Sequence, residues 1–175
     1  MNDDIGEITP CYTVTFRRTS KHPAKRLWSA ITDANEITRW MDYPARVELK
    51  RGGDWHIDFS RSNDGVLDGV IVRVEPERVL TYVWGLSLVE WTLEDQPGSG
   101  CKYRLVHAGL ADRGEGEEGL PAGWHEFLDR LDRHLDGGYY TVPEQRANWE
   151  RLKAPYLEQL DRVLVPRQQG PALRR

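Results

Sequence analysis

Residues 123–135 read GWHEFLDRLDRHL, and within them Trp124, Phe127, Leu128, Leu131 and Leu135 return at helical spacing to form one apolar stripe. The other side carries Glu126, Asp129, Arg130, Asp132 and Arg133. A helix so divided is expected to face water on its charged side and to need a broad apolar surface beneath its stripe. Most of the chain before it alternates apolar and polar residues with the period of strands, so a sheet curling around this helix would supply that surface.

Working outward, Tyr12 to Arg18 places Tyr12, Val14 and Phe16 on one face of a first strand. Pro23 suits the first turn of a helix with Ala24, Leu27, Trp28 and Ile31 on one side, and Asp33 can cap a second short helix that carries Ile37 and Trp40 inward and stops at Tyr43-Pro44. Six further strands are expected: Ala45 to Lys50, Trp55 to Phe59, Leu67 to Val74, Val79 to Trp84, Leu86 to Glu94 and Cys101 to Ala108, with a hairpin turn at Gly52-Gly53. Short connections favour an antiparallel meander. The Gly-rich acidic segment from Gly109 to Gly123 reads as a mobile connection at the open end of the sheet. Gly137-Gly138 ends the main helix, and about 145–165 forms an added helix with Trp149, Leu152, Tyr156, Leu160 and Leu164 one above another, bent or interrupted at Pro155. Residues 1–165 are thus expected to be one domain, and 166–175 a disordered tail.

The 175 residues carry a net charge of -4, which offers no electrostatic footprint for a nucleic acid backbone. Cys11 and Cys101 lie far apart with no CxxC pair, as free thiols in a reducing compartment would. The first residues lack the apolar core of a leader, and no later run approaches the length of a membrane span. A cytoplasmic protein is expected. Each of the seven tryptophans, if buried, contributes up to about 4–6 kcal/mol, so whether they fill the core or line a cavity is the functional question.

The motifs LWSAITDANEITRW, KRGGDWHIDF, GVIVRVEPERVLTYVW, VEWTLED, LVHAGL and GWHEFLDRL, taken in order, resemble the SRPBCC or START-like superfamily, and within it the branch similar to the C-terminal domain of the heat-shock protein 90 ATPase activator. The resemblance spans Tyr12 to Leu135. It implies an α+β helix-grip fold of the START and Bet v 1 kind, with a curved antiparallel sheet wrapped around a C-terminal helix, two short helices after the first strand, and an apolar cavity between sheet and helix. The Gly123 helix is taken as the gripped one.

Strand parity and helix face then point Trp40, Trp55, Phe59, Tyr82, Trp84, Trp91, Tyr103, His107, Trp124, Phe127 and Leu131 inward as candidate ligand-binding residues. The same side chains could instead interdigitate to native density and leave no void. His107, with Tyr103 and Tyr82, is the candidate for acid–base work, against the alternative of a satisfied structural histidine at a strand end. His125-Glu126 suggests a zinc helix, but the HExxH pattern fails at Asp129; His134 has no further ligand at helical spacing, and His56 should be solvated. No GxSxG elbow, GxGxxG or GxxxxGK[ST] occurs, and Glu115, Glu117 and Glu118 sit in the expected mobile loop. No metal or cofactor is indicated. The expected function is binding of a small apolar or aromatic ligand, with the acidic loop as gate, rather than catalysis. Two alternatives stay open: an enzyme in the manner of the polyketide cyclases of related fold, and a co-chaperone touching a partner ATPase. The lack of a long N-terminal domain such as the eukaryotic activator has counts against the latter. An exposed edge strand or the added helix leaves a homodimer open.

Overall fold

Strand alternation builds the frame. The computed structural model describes residues 6–9, 13–62, 65–109 and 119–164. Its strands are β1 (Glu7–Thr9), β2 (Thr13–Ser20), β3 (Ala45–Val47), β4 (Asp54–Asp58), β5 (Val66–Glu75), β6 (Val79–Trp84), β7 (Ser87–Gln96) and β8 (Gly100–Ala108). They form one curved antiparallel sheet in the order β1-β2-β8-β7-β6-β5-β4-β3. Its helices are α1 (Ala24–Thr32), α2 (Ala34–Met41), α3 (Gly119–Leu135) and α4 (Val142–Leu164). This is the α+β helix-grip architecture, and α3, the Gly123 helix, is the gripped one.

Parity fixes what faces the helix. Val89, Trp91 and Leu93 of β7 and Cys101, Tyr103, Leu105 and His107 of β8 are buried, with Trp91 paired to Leu105 and Val89 to His107 across the two strands. On β5 only Ile71 is fully buried: Val66, Val70 and Val72 lie on the outer face, and a register shift between Ile71 and Arg73 sends Arg73 outward and turns Val74 toward the core. His56 is on the outer face too, bonded to Asp68. Asp33 closes α1 by donating its N–H to the Ser29 carbonyl and opens α2 by accepting the Asn35 and Glu36 N–H groups at 2.9 and 3.0 Å. Pro23 stands just before α1 as its cap, not inside its first turn.

Four expectations are corrected. The sheet has an eighth strand, β1, which is too short to register as a pattern and is held from outside: Gly6 N–H donates to the Tyr156 hydroxyl at 2.9 Å, and Gln159 bonds both Ile8 N–H and the Gly6 carbonyl. Strand β3 ends at Val47 rather than Lys50, because the chain turns early to reach β5 through bonds of Gly52 and Gly53 with Ile71. Helix α3 begins at Gly119, inside the segment read as a mobile connection; the rest of that segment, with Glu115, Glu117 and Glu118, lies outside the described residues, as do Cys11, Tyr12 and the tail. Lastly, the charged side of α3 does not all face water: His125, Glu126 and Asp129 are buried. Helix α4 covers that side, laying Leu152, Tyr156 and Leu160 into the core. It runs continuously through Pro155, which withholds one helical hydrogen bond. The Trp149 ring rests where Gly119 and Gly123 carry no side chain; a Cβ on Gly123 would stand 3.3 Å from it.

Candidate functional site

Between sheet and α3 the eleven residues singled out from sequence all reach the inner side, and the ring-bearing ones form one connected network. Trp55 of β4 stacks on Tyr82 of β6 at 3.9 Å between centroids, and Tyr82 leads to Trp84 at 6.4 Å. Trp84 meets Trp124 of α3 at 5.1 Å and Phe59 at 5.8 Å. Trp124 in turn touches Trp91 and Phe127, and Trp91 touches Tyr103. Trp40 at the end of α2 abuts Phe127, its indole N–H donating to the Ala30 carbonyl at 2.9 Å. Leu131, fully buried, continues the stripe of α3 one turn beyond Phe127. Burial is graded along this network. Trp55, Tyr82, Trp91, Tyr103 and Trp124 are deep, whereas Phe59, Trp84 and Phe127 are half-buried where α2, β4 and β6 end beside the middle of α3. Tyr43, which the sequence reading used only as a helix stop, belongs with them: its ring lies 4.7 Å from Phe59 and 6.4 Å from Phe127.

Two polar features interrupt this apolar surface. Trp55 Nε1 is buried without a hydrogen-bond partner among the described residues, a donor left without an acceptor in the interior. His107 is the opposite case. Trp124 Nε1, which can only donate, bonds His107 Nδ1 at 2.8 Å. The neutral ring therefore carries its proton on Nε2, which donates to Ser87 Oγ at 2.5 Å, and the Ser87 hydroxyl donates onward to the Trp84 carbonyl at 2.7 Å. Burial lowers the His107 pKa to about 4. Burial likewise raises the Tyr82 and Tyr103 hydroxyls well above the ordinary phenol value, and with help from Asp95 and Asp132 it raises the Cys101 thiol to about 11.

A second group, not foreseen from sequence, lies on the far side of α3. The Arg18 guanidinium, buried on β2, meets Asp129 Oδ1 at 2.9 Å and Asp132 Oδ2 at 3.1 Å. Tyr103 donates to Asp132 at 3.2 Å, and Asn148 of α4 to Asp129 at 3.1 Å. The Tyr156 hydroxyl accepts the Gly6 N–H and stands 2.9 Å from His125 Nδ1, with His125 Nε2 then 3.7 Å from Asp129. Burial pushes the Asp132 pKa up and outweighs Arg18 and Tyr103, which pull it down. The signal was the alternation of β2, which sends Arg18 to the same side as Val14 and Phe16.

Two cavities stand out among the described residues. One of about 800 Å³ opens between α3 and α4 beside Thr19. The other, about 450 Å³, lies along β2, β8 and β7 and is bordered by Tyr103. Apart from Tyr103, neither is lined by the rings described above.

Comparison with known proteins places the architecture. The family model described as activator of Hsp90 ATPase homolog 1-like protein matches residues 21–136. Among solved structures, MLL2253 from Mesorhizobium loti is 29% identical with a TM-score of 0.65, covering 71% of this chain and 97% of its own. CalU16 from Micromonospora echinospora is 25% identical with a TM-score of 0.67 over 89% of this chain and 94% of its own. DynU16, from the dynemicin biosynthetic locus, is 25% identical with a TM-score of 0.61, and the match spans 73% of this chain and 48% of DynU16. No curated protein matches. Among the described residues no helix is long and apolar enough to cross a membrane.

Proposed function

Since the chain belongs to the activator of Hsp90 ATPase homolog 1-like family, within the SRPBCC superfamily, we propose that it is a small-molecule binding protein. Its guest is apolar or aromatic and lodges between the sheet and α3. The observation that carries this reading is the half-buried group of Tyr43, Phe59, Trp84 and Phe127 at the convergence of four elements, continuous with the deeper rings behind it. The rings stand in contact, so a guest comes in by displacing Phe59, Trp84 or Phe127 rather than by filling a ready hollow. The unpartnered Trp55 N–H supports a guest with an oxygen acceptor, because pairing a buried donor removes a desolvation cost of about 1–3 kcal/mol. Binding is favoured over acid–base catalysis by the state of the three candidate groups. His107 has both nitrogens engaged and is neutral near pH 7, and Tyr82 and Tyr103 hold their protons tightly.

Two measurements test this. Native mass spectrometry of the purified protein looks for a retained organic molecule, and a panel of planar aromatic compounds is screened by thermal shift. A compound at a hundred times its dissociation constant adds about 2.7 kcal/mol, quenches tryptophan fluorescence, and loses affinity in Phe127→Ala. A panel without any shift, together with a protein that carries nothing, would overturn the reading. Stimulation of a heat-shock protein 90 ATPase by the purified chain would instead favour a chaperone partner.

A further inference from the structure

Hydrogen-bonding capacity does not balance behind Trp84. Trp55 of β4 and Tyr82 of β6 are separated by β5, yet their rings stack at 3.9 Å and 13°, since Gly69, opposite Trp55 on β5, puts no side chain between them. Both are almost wholly buried. Trp91 Nε1 donates to the Tyr82 oxygen at 3.3 Å, and among the described residues nothing accepts the Tyr82 hydroxyl proton. Trp55 Nε1 has no partner either. With the indole nearly parallel to the phenol ring, its N–H lies in its own plane and cannot point into the face of Tyr82. Of these three donor protons only that of Trp91 meets an acceptor, which leaves two unanswered in the interior. The indoles of Trp40 and Trp124, by contrast, are satisfied by the Ala30 carbonyl and by His107.

A guest that answers this deficit must accept without donating. A hydroxyl would bring a proton of its own to a place that has no acceptor for it. A carboxylate would bring a charge, and no charged group lies near enough to answer it: burial raises the Tyr82 pKa, and no charged neighbour contributes. A carbonyl oxygen has two lone pairs, no proton and no charge. Resting on the reading of the aromatic site given above, we propose that its guest is an aromatic ketone whose carbonyl oxygen accepts from Trp55 Nε1 and the Tyr82 hydroxyl. The half-buried Trp84 ring is 6.4 Å from Tyr82, so a guest that displaces it arrives beside the stacked pair.

Equilibrium dialysis of the full chain against fluorenone, fluorene and fluorenol tests this, because the three tricyclic compounds share nearly one shape and differ in carrying C=O, CH2 or CH–OH. Fluorenone is expected to bind about tenfold tighter than either of the others. Trp55→Phe keeps an aromatic ring but removes the N–H, and should cut that preference about fivefold or more. Circular dichroism confirms that the variant is folded. A second measurement needs no variant: the infrared carbonyl band of fluorenone bound to the parent chain, isolated by isotope labelling of the carbonyl carbon, should lie below its position in a hydrocarbon solvent. Fluorene or fluorenol binding as tightly as fluorenone, a preference that survives Trp55→Phe, or an unshifted carbonyl band would each overturn the proposal while leaving an apolar guest in the site. Binding of none of the three overturns it too, and the aromatic site itself falls only if the wider panel and native mass spectrometry are also blank.

Discussion

Burial keeps His107 neutral until the pH falls to about 4, whereas the same imidazole in an unfolded chain takes its proton near 6.5. Between those values the unfolded state holds the extra proton, so stability falls as pH falls, by roughly 3 kcal/mol across the window. Urea midpoints between pH 7 and 4 should show this decline. In His107→Gln, whose amide oxygen can still accept from Trp124, that part of the pH dependence should flatten; a parent midpoint constant across the window would contradict the neutral relay. The position of His107 was readable from strand parity, and those of the ten other candidate residues from strand parity or helix face. Its hydrogen bonds were not, because Trp124 and Ser87 come from elements distant in sequence. Tyr43 was missed for a related reason, since the residue before a proline reads first as punctuation.

Helices α1, α2 and α3 meet at one carboxylate. Glu36 of α2 accepts from Arg26 at 2.5 Å and Ser29 at 2.8 Å, both on α1, and lies 3.1 Å from His134 Nε2 on α3. Partial burial pulls its pKa up, but hydrogen bonds from Ser29, His134 and Arg26 outweigh this and hold it below the usual glutamate value of 4.5. A carboxyl so depressed adds stability above that value, and the gain is lost as pH falls through the folded pKa. Glu36→Gln should cost about 1–3 kcal/mol near neutral pH and little in strong acid, as chemical denaturation at the two pH values would show. At the other edge, Tyr156→Phe leaves the buried Gly6 N–H without its acceptor and should also cost about 1–3 kcal/mol. Amide exchange should quicken in β1 while β7 and β8 stay protected. The six longer strands and all four helices could be read locally because each carries its own period over several residues, and β3, though only three residues long, was read from the longer alternation that runs from Ala45 to Lys50. Strand β1 could not, since three residues held by Tyr156 and Gln159 have no pattern of their own.

At the scale of the molecule, the sheet takes the apolar stripe of α3 and α4 takes its other side. That division explains why Asp129 and Glu126 are buried where an isolated amphipathic helix would leave them in water. The family match ends at residue 136, before α4 begins, yet the physical accounts of the two helices are joined. Removing α4 would uncover Gly119 and Gly123 beneath Trp149, withdraw Asn148 from Asp129 and Tyr156 from His125, and strip Leu152, Tyr156 and Leu160 from the core. Three buried side chains at about 1.5–3 kcal/mol each amount to much of the roughly 5–15 kcal/mol that holds a domain together. A chain ending at Gly138 should therefore lose its near-ultraviolet dichroism and expose apolar surface to a reporter dye while keeping much of its strand signal. If that chain instead melted cooperatively at the parent temperature, Arg18 of β2 with Asp129 and Asp132 of α3 would have to be stable as a solvated cluster, and α4 would be an appendage rather than a wall of the core.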